Sequence, residues 1–371
     1  MTANVSGDEK KIHPLLEAEC KFRASDLHLK VGAPPLLRLK GEVRPLDLPA
    51  FKPGEIEHLI YPIMREEQRI VFDDTGDMDF AYSLPGQGRF RINVFKQRGQ
   101  VSVAIRRVQI EIPTYEELHL PSVVADIASH LQGLVIVSGI TGSGKSTTLA
   151  AMLQQINTTR RCHILTIEDP IEYLFRDGKA FVNQREIGID VSSWQTALKY
   201  MVRQDPDVIL IGEMRDTETF AAGLTAAETG HLVFGTLHSS TAGQTFGRIL
   251  DLFPRDRHPL IRNSLAFNLR AIVSQKLLPS IKEGADRVPA CEIMLVNATV
   301  RKLIRDEEDE KIPDAIRLGR EEGMQDYTES LRQLVENQLV ERNMALEVAP
   351  NPEALRMALQ GIGVSDAAIL G

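Results

Sequence analysis

The segment from Gly139 to Ser146 constrains the fold of this chain more than any other. It reads Gly-Ile-Thr-Gly-Ser-Gly-Lys-Ser, which fits the phosphate-loop pattern G-x-x-x-x-G-K-[ST] without a gap. An apolar stretch, Leu134–Ser138, precedes it, and helix-forming residues follow it from Thr147 onward. The sequence therefore predicts a strand, a glycine-rich loop and a helix in direct succession.

Such a loop turns its backbone N–H groups into one concavity at the positive end of the helix dipole, where phosphate groups bind. We expect Lys145 to reach the β- and γ-phosphates and the Ser146 hydroxyl to ligate Mg²⁺. ATP and Mg²⁺ are therefore the expected cofactors. The residues expected to bind the nucleotide are Gly139, Ile140, Thr141, Gly142, Ser143, Gly144, Lys145, Ser146 and Thr147.

Short apolar strands alternate with long helical stretches in the second part of the chain. Besides the strand before the phosphate loop, we predict strands at His163–Ile167, Val208–Ile211 and Leu232–Thr236. Strands that are apolar throughout, with helices between them, are typical of a parallel sheet covered on both faces. The pattern predicts an α/β domain from residue 121 onward.

The first 107 residues have a different pattern. Short strands are predicted at 25–29 and 36–39, and residues 54–72 have the apolar spacing of a helix. Residues 88–108 alternate as a hairpin does and carry six cations with no acid, which favours an anionic partner nearby. We therefore predict an α+β domain over residues 1–107, a linker over 108–120 and the α/β domain over 121–371.

Composition excludes several classes of function. The 371 residues include 43 Lys and Arg against 51 Asp and Glu, a formal charge of −8, so direct nucleic-acid binding is not expected. No secretory signal is expected, because MTANVSGDEKK lacks its apolar stretch, and no apolar run approaches the ~18 residues that cross a bilayer, which favours a cytoplasmic location. Cys20, Cys162 and Cys291 are too far apart for a CxxC pair, so no zinc site is expected.

Acidic residues follow two of the predicted strands. The segment TIEDPIE, residues 166–172, places acids just past the carboxyl end of a strand, where ligands of open α/β sheets bind. The segment DVILIGE, residues 207–213, resembles a Walker B element, but Gly212 stands where an Asp usually supports the metal. We therefore expect Glu213 to act alone on Mg²⁺, through water. The acids of the first segment are Glu168, Asp169 and Glu172.

Two histidines flank the last apolar strand, in the segment GHLVFGTLH. A structural role and a role in sensing the γ-phosphate are both open for His231 and His238. The polar residues Ser239, Ser240 and Thr241 follow directly.

Together these segments resemble the secretion and pilus superfamily of hexameric ATPases, in particular its type IV pilus retraction branch, the PilT/PilU branch. Residues 25–29 (SDLHL) are similar to an N-terminal element of that family, and residues 164–172 to its Asp box. Residues 205–216 are similar to its Walker B, residues 227–238 to its His box, and residues 315–331 to its C-terminal helical signature. The resemblance covers nearly the full length of the chain.

The resemblance implies a PAS-like N-terminal domain and a RecA-like P-loop NTPase domain, assembled as a ring of six whose subunits rotate as rigid blocks when ATP is hydrolysed. It implies that Glu172 polarises the attacking water, that Glu213 positions Mg²⁺, and that Arg91 and Arg106 meet the phosphates. It also implies a peripheral location at the inner face of the cytoplasmic membrane, against an inner-membrane pilus platform protein, and a role in twitching motility.

Several alternatives remain at this stage. Extension and type II secretion ATPases generally carry a four-cysteine zinc insertion and a further N-terminal domain, and the expected lack of both favours retraction. The segment TVRKLI, residues 299–304, departs from the A-I-R-N-L-I typical of the retraction branch. The sequence therefore leaves several alternatives open: a PilU-like paralogue, a motor for DNA uptake or another secretion system, and a weakly hydrolysing regulatory protein. A P-loop kinase would need a lid and an acceptor pocket, and neither is recognisable.

Overall fold

The computed structural model describes residues 11–39 and 41–361. By their contacts these residues form two units. The first takes the described residues up to Glu111 together with Glu172–Leu174, and the second takes Ile112–Ile171 and the described residues from Phe175 onward. Residues 172–174 belong to the first unit because Tyr173 forms an isolated β-bridge with Gln109.

The first unit combines helices with six strands. Its elements are α1 (His13–Lys21), β1 (Asp26–Lys30), β2 (Leu36–Leu39), β3 (Glu42–Pro45), α2 (Glu55–Ile60), α3 (Glu66–Thr75), β4 (Asp77–Leu84), β5 (Gly88–Gln97) and β6 (Gln100–Arg107).

The six strands of the first unit form one antiparallel sheet in the order β3-β2-β1-β6-β5-β4. The α+β fold and the cationic hairpin expected from the sequence are confirmed, since β5 and β6 pair from Phe90 to Gln97. The expectation of one continuous helix over residues 54–72 is wrong. The structure has two helices there, α2 and α3, separated by a 3₁₀ turn at Tyr61–Ile63, where Pro62 cannot donate the backbone hydrogen bond that a continuous helix needs.

The second unit begins with a short helix and continues with alternating strands and helices. Its elements are α4 (Val123–Ala128), β7 (Gly133–Ser138), α5 (Lys145–Thr159), β8 (His163–Glu168), β9 (Phe181–Glu186), α6 (Trp194–Met201), β10 (Val208–Ile211), α7 (Thr217–Glu228), β11 (Leu232–Leu237), α8 (Ala242–Asp251), α9 (His258–Asn268), β12 (Leu269–Pro279), β13 (Arg287–Leu295), α10 (Ala298–Arg305), α11 (Ile312–Leu318), α12 (Tyr327–Glu336), α13 (Arg342–Val348) and α14 (Pro352–Leu359).

The sheet of the second unit has seven strands in the order β13-β12-β7-β11-β10-β8-β9. All neighbours are parallel except β12 and β13, so the mainly parallel sheet expected from the sequence is confirmed. Successive side chains of β7 enter different buried clusters: Leu134 and Ile136 pack in one, and Val135 and Val137 in the other. Because side chains alternate across a strand, this shows that both faces of the sheet are covered.

The four strands predicted in this unit are present within one residue of their expected ends. The sequence did not indicate β9 and β13, the two edge strands of the sheet, or β12, which lies between β13 and β7. Of these, β9 has several polar residues, and its first residue, Phe181, is half exposed. An edge strand has fewer side chains in the core, so its sequence carries a weaker hydrophobic signal.

Candidate nucleotide-binding site

The phosphate loop connects the end of β7 to the start of α5, as the sequence predicts. Gly144 is the N-cap of α5 and Lys145 its first residue, so the free N–H groups of this helix face the loop. Gly142 and Gly144 have positive φ angles of 77° and 88°, which side chains rarely tolerate. A Cβ on Gly139 would lie 2.6 Å from the backbone carbonyl oxygen of Gln275, so only glycine fits there.

The Lys145 ammonium group is held over the loop. Its Nζ donates to the carbonyl oxygens of Gly139, at 2.8 Å, and Ile140, at 3.1 Å. Burial lowers the pKa of Lys145, and the nearby Glu213 carboxylate opposes that effect. The side chain of Ile140 is exposed. A cation bonded to carbonyl oxygens of its own loop is available to exchange them for an anionic ligand.

The side chain of Glu213 lies at this same site because β10 and β11 fix the loop that carries it. The Thr236 hydroxyl of β11 donates to the Gly212 carbonyl at 2.6 Å, and the Met214 amide donates to the Thr236 carbonyl at 3.0 Å. The Met214 side chain is fully buried and packs against the space left by Gly235. The backbone on both sides of Glu213 is therefore anchored.

Gly212, the unusual residue of the Walker B-like segment, has a packing explanation. Its amide donates to the Ile167 carbonyl at 2.8 Å. A Cβ at this position would lie 3.2 Å from that same carbonyl oxygen and 3.3 Å from the Cα of Glu168. An aspartate would therefore require the backbone of residues 167–168 to shift by a few tenths of an ångström. The glycine keeps the two segments in close contact and leaves Glu213 as the acid that faces the phosphate loop.

Two nitrogen groups share one oxygen of Glu213. Arg215 Nε lies 2.6 Å and His238 Nε2 3.1 Å from Glu213 Oε1. Burial alone would raise the pKa of Glu213, but the hydrogen bond from Arg215 and the charges around it lower the pKa below its ordinary value. Glu213 is therefore ionised at neutral pH. The pKa of His238 is lowered by burial and by Lys145, against the opposing effect of Glu213.

The structure brings His238 to the site and leaves His231 away from it. Leu237 pairs with Ser138, so the segments beginning at His238 and Gly139 leave the sheet side by side. His231 lies at the other end of β11, where its carbonyl accepts from the Gly133 amide and its ring contacts Ala226 and Thr229. Seven residues of strand span about 23 Å. His231 therefore lies away from the phosphate loop of its own chain, and the sensing role that the sequence leaves open for it stays a prediction.

The acids at the end of β8 and after it have different surroundings. Glu168 is buried, and its Oε1 accepts from the Thr166 hydroxyl at 2.6 Å and from the Gln184 amide at 3.2 Å. It therefore ties β8 to β9. Glu172 is exposed, and its backbone belongs to the first unit, since its carbonyl accepts from the Gln109 amide at 3.3 Å.

The site offers oxygen ligands of the kind that Mg²⁺ prefers. The exposed Ser146 hydroxyl and the ionised Glu213 carboxylate are the two that the sequence predicts. Mg²⁺ usually keeps several waters and takes only one or two protein oxygens besides phosphates, so this small donor set fits it. Among residues 11–39 and 41–361, no group of three or more His, Cys, Asp and Glu side chains is arranged to hold a metal ion.

Comparisons with known proteins agree with this geometry. The family described as "Type II/IV secretion system protein" matches residues 89–356. The "Type IV pilus retractation ATPase PilT" of Pseudomonas aeruginosa is 44% identical over 342 residues, which are 92% of this chain and 99% of that relative. The chain belongs to the type II/IV secretion system protein family. It is an ATPase of that family.

Two further comparisons refine the position of the chain within the family. A crystal structure of the pilus retraction motor PilT with bound ADP has a TM-score of 0.87 and 43% identity, and the match covers 93% of this chain and 99% of that one. The "Type IV pilus ATPase PilU" of Pseudomonas aeruginosa is 39% identical over 353 residues, 95% of this chain and 92% of that relative. The fold of this chain is therefore that of the retraction ATPases in the family.

The two arginines that the family resemblance assigns to the phosphates lie in the first unit. Arg91 of β5 and Arg106 of β6 face each other in the strand pairing. Arg106 Nε is 2.9 Å from a carboxylate oxygen of Asp26, whereas Arg91 Nε is 3.7 Å from one of Asp79. The hydrogen bonds from Ser25 and Arg106 lower the pKa of Asp26, although burial alone would raise it. Arg106 is thus the more firmly held of the two.

Sequence reasoning missed Arg215. The sequence did contain a signal for this residue, because Arg215 follows Glu213 by only two residues in the Walker B-like segment. No helix in the described part of the chain is both long and apolar enough to cross a membrane.

Proposed function

We propose that this protein is a motor ATPase that retracts a type IV pilus and so drives twitching motility. The observation that supports it most is the meeting of Lys145, Glu213 and His238 at the carboxyl edge of the parallel sheet, beside a phosphate loop. That edge is where ligands of open α/β sheets bind. The 44% identity to a retraction ATPase over almost its full length supports the biological role.

In the proposed site, the phosphate groups of ATP lie over residues 139–147. The Lys145 ammonium group leaves the carbonyls of its own loop and contacts the β- and γ-phosphates. The first N–H groups of α5 and the loop amides add fixed positive potential, which costs no reorganisation during the reaction. Ser146 and Glu213 would hold Mg²⁺, which neutralises charge on the β- and γ-phosphates when it is bound.

Hydrolysis further needs an oriented water and cations at the γ-phosphate. We assign the orientation of the water to Glu172 and the neutralisation of charge to Arg91 and Arg106. His238, which contacts Glu213, is assigned to sensing the γ-phosphate. Removing one preorganised hydrogen-bond donor from an active site typically lowers kcat by about 10²- to 10³-fold, and removing an arginine finger lowers it by ~10³- to 10⁵-fold.

We further propose a homohexamer that works at the inner face of the cytoplasmic membrane against a pilus platform protein. In this proposal, an N-terminal PAS-like domain (residues 1–107) and a RecA-like domain (residues 121–371) are joined by residues 108–120, and ATP binds to the phosphate loop of the RecA-like domain. Nucleotide turnover then rotates the subunits as rigid blocks. The exposed cations on β5 and β6 are consistent with an anionic ligand for the first unit.

Purified protein tests the enzymatic part of the proposal. We expect steady release of phosphate from ATP that requires Mg²⁺, and a mass of six protomers by light scattering when nucleotide is present. A protein that binds ATP but releases almost no phosphate would be a regulatory nucleotide-binding paralogue. Transfer of the phosphate to a small molecule would indicate a kinase.

Deletion of the gene in its host tests the biological part. Surface fibres that accumulate while twitching is lost support retraction, whereas loss of fibres supports an extension ATPase. Unchanged fibres with lost DNA uptake or lost secretion assign the motor to another system.

A further inference from the structure

Four hydroxyl groups form a continuous chain in the second unit, next to the phosphate loop. Ser274 Oγ of β12 lies 2.7 Å from Ser138 Oγ, which lies 2.9 Å from Thr245 Oγ1 of α8. Thr245 Oγ1 in turn lies 2.6 Å from Ser239 Oγ. Ser138, Ser274 and Thr245 are fully buried. The chain therefore joins three elements of the unit through polar groups in its interior.

Each of these hydroxyls can donate one proton and accept two, which limits how the chain can be ordered. Thr245 Oγ1 donates to Ser138 Oγ, and it also lies 2.7 Å from the Thr241 carbonyl, which can only accept, so its one proton is shared between these two acceptors. The Ser239 hydroxyl can donate to Thr245, because the Thr245 oxygen can still accept. Thr245 is therefore the point at which the links meet.

The two ends of the chain lie beside the two loops of the candidate site. Ser138 directly precedes Gly139, the first residue of the phosphate loop, and Ser239 directly follows His238, whose ring contacts Glu213. The Thr241 side chain accepts from the Gln244 amide and so caps α8 independently of Thr245. The hydroxyl of Thr245 is therefore not needed to start the helix, and its bonds act on the neighbouring segments.

We propose that Thr245 is a positioning residue for hydrolysis: its hydroxyl holds the segment after His238 against the strand that enters the phosphate loop. This keeps the His238 ring at Glu213 and sets its distance to the phosphate loop. Replacing the hydroxyl by a methyl group would leave Ser138 and Ser239 without their shared hydrogen-bond partner in a buried region, where unmade hydrogen bonds are costly. The inference concerns the chemical step and rests on the proposed ATPase function.

The test compares the full-length protein with Thr245→Val, which keeps the shape, and Thr245→Ser, which keeps the hydroxyl. We expect Thr245→Val to lower kcat for ATP hydrolysis by about 10- to 100-fold, as for a misplaced catalytic group, with KM changed less than about threefold. Thr245→Ser should restore kcat to within about twofold. In hydrogen exchange, the amides of residues 238–246 should exchange about tenfold faster in Thr245→Val only.

Matched variants separate positioning from stability. Val288→Ala shortens a buried side chain of the C-terminal apolar cluster, far from the hydroxyl chain in sequence, and should lower the melting temperature without changing kcat. If Thr245→Val behaves like Val288→Ala, or if Thr245→Ser is as slow as Thr245→Val, the proposal is wrong. Should Thr245→Val fail to fold, Ser239→Ala removes only the hydrogen bond between Ser239 and Thr245. An unchanged kcat in Ser239→Ala also overturns the proposal.

Failure of the proposed function has a different signature. Wild-type protein that hydrolyses no ATP contradicts the motor assignment. The exchange measurement then decides the structural claim alone: faster exchange confined to residues 238–246 supports the positioning role of Thr245, and unchanged exchange there rejects it.

Discussion

Arg215 Nε lies 2.6 Å from Glu213 Oε1, so the acid expected to support Mg²⁺ already holds a cation of its own chain. The arginine side chain is 74% exposed, whereas that of Glu213 is 21% exposed. Exposed ion pairs are worth only about 0–1 kcal/mol, so Arg215 can leave at little cost. The pair thus keeps Glu213 ionised and oriented without blocking a stronger ligand.

Glu213→Gln keeps the shape of the side chain and removes its charge. We expect kcat for ATP hydrolysis to fall by at least about 100-fold, while nucleotide affinity changes little because Lys145 and the loop amides remain. Phosphate release and titration with a fluorescent nucleotide measure the two quantities. Glu218→Gln, an exposed acid in the first turn of α7, is the control. Equal losses of affinity and turnover would contradict this role.

Lys145→Ala removes the ammonium group that is bonded to two loop carbonyls. A charged hydrogen bond contributes about 1.5–3 kcal/mol, so nucleotide affinity should fall by about 10- to 100-fold. Without nucleotide, we expect the free energy of unfolding to change by no more than about 1–2 kcal/mol. Equilibrium binding and denaturant unfolding test both statements, with the exposed Lys199→Ala as control. Wild-type affinity in Lys145→Ala would place the phosphates elsewhere.

Arg91→Ala and Arg106→Ala should differ in their effect on stability. Arg106 is paired with the nearly buried Asp26, so its loss should lower the free energy of unfolding by roughly 1 kcal/mol, more than the loss of Arg91. Arg91→Ala should lower turnover strongly, within the ~10³- to 10⁵-fold range of arginine fingers, and leave nucleotide binding by one subunit intact.

Melting curves and steady-state kinetics measure these two effects. Arg44→Ala removes a cation from the exposed strand β3 of the same sheet and serves as the control. Normal turnover in Arg91→Ala would remove this arginine from the site. Equal melting temperatures for the two variants would mean that the bond between Arg106 and Asp26 contributes nothing to stability.

Glu19 makes the first unit sensitive to pH. Burial raises the pKa of this α1 side chain to about 9, against the opposing effect of the Arg107 backbone. The folded protein therefore binds a proton that the unfolded chain releases above about pH 4.5, and stability falls as the pH rises from there towards 9. One proton changes the free energy of unfolding by at most about 1.4 kcal/mol per pH unit.

Glu19→Gln should therefore melt at a higher temperature than wild type at pH 8, with a smaller difference at pH 5. Glu17→Gln, an exposed acid on the same helix, should change neither value. Thermal melting of the full chain at the two pH values is sufficient. A difference that grows towards low pH would show that Glu19 is ionised in the folded protein.

The elements of the second unit that hold the phosphate loop could be predicted because their signals are local. A run of apolar residues, a set of glycines and the start of a helix all lie within about 25 residues of Lys145. The four central strands followed from their continuous apolar sequences. The edge strand β9 did not, because its exposed positions dilute that signal.

The roles of the two histidines could not be separated from the sequence. His231 and His238 flank the same strand in the same way, but the direction of β11 in a parallel sheet places only the second beside the phosphate loop. The contact of Glu213 with His238 could not be predicted from the sequence either. His238 follows Glu213 by 25 residues, and the pairing of β10 with β11 brings the two together. The domain boundaries and the roles of Glu172, Arg91 and Arg106 stay predictions.

The sequence by itself determined that the chain contains a phosphate loop on an α/β domain, and which residues belong to that loop. Those properties depend on neighbours along the chain, such as the glycines that free the backbone and the lysine that begins α5. Only the tertiary structure decided which distant side chains meet there: Glu213 with Arg215 and His238, and Ser138 with Thr245. Such meetings depend on strand order and register, which no short segment of sequence encodes.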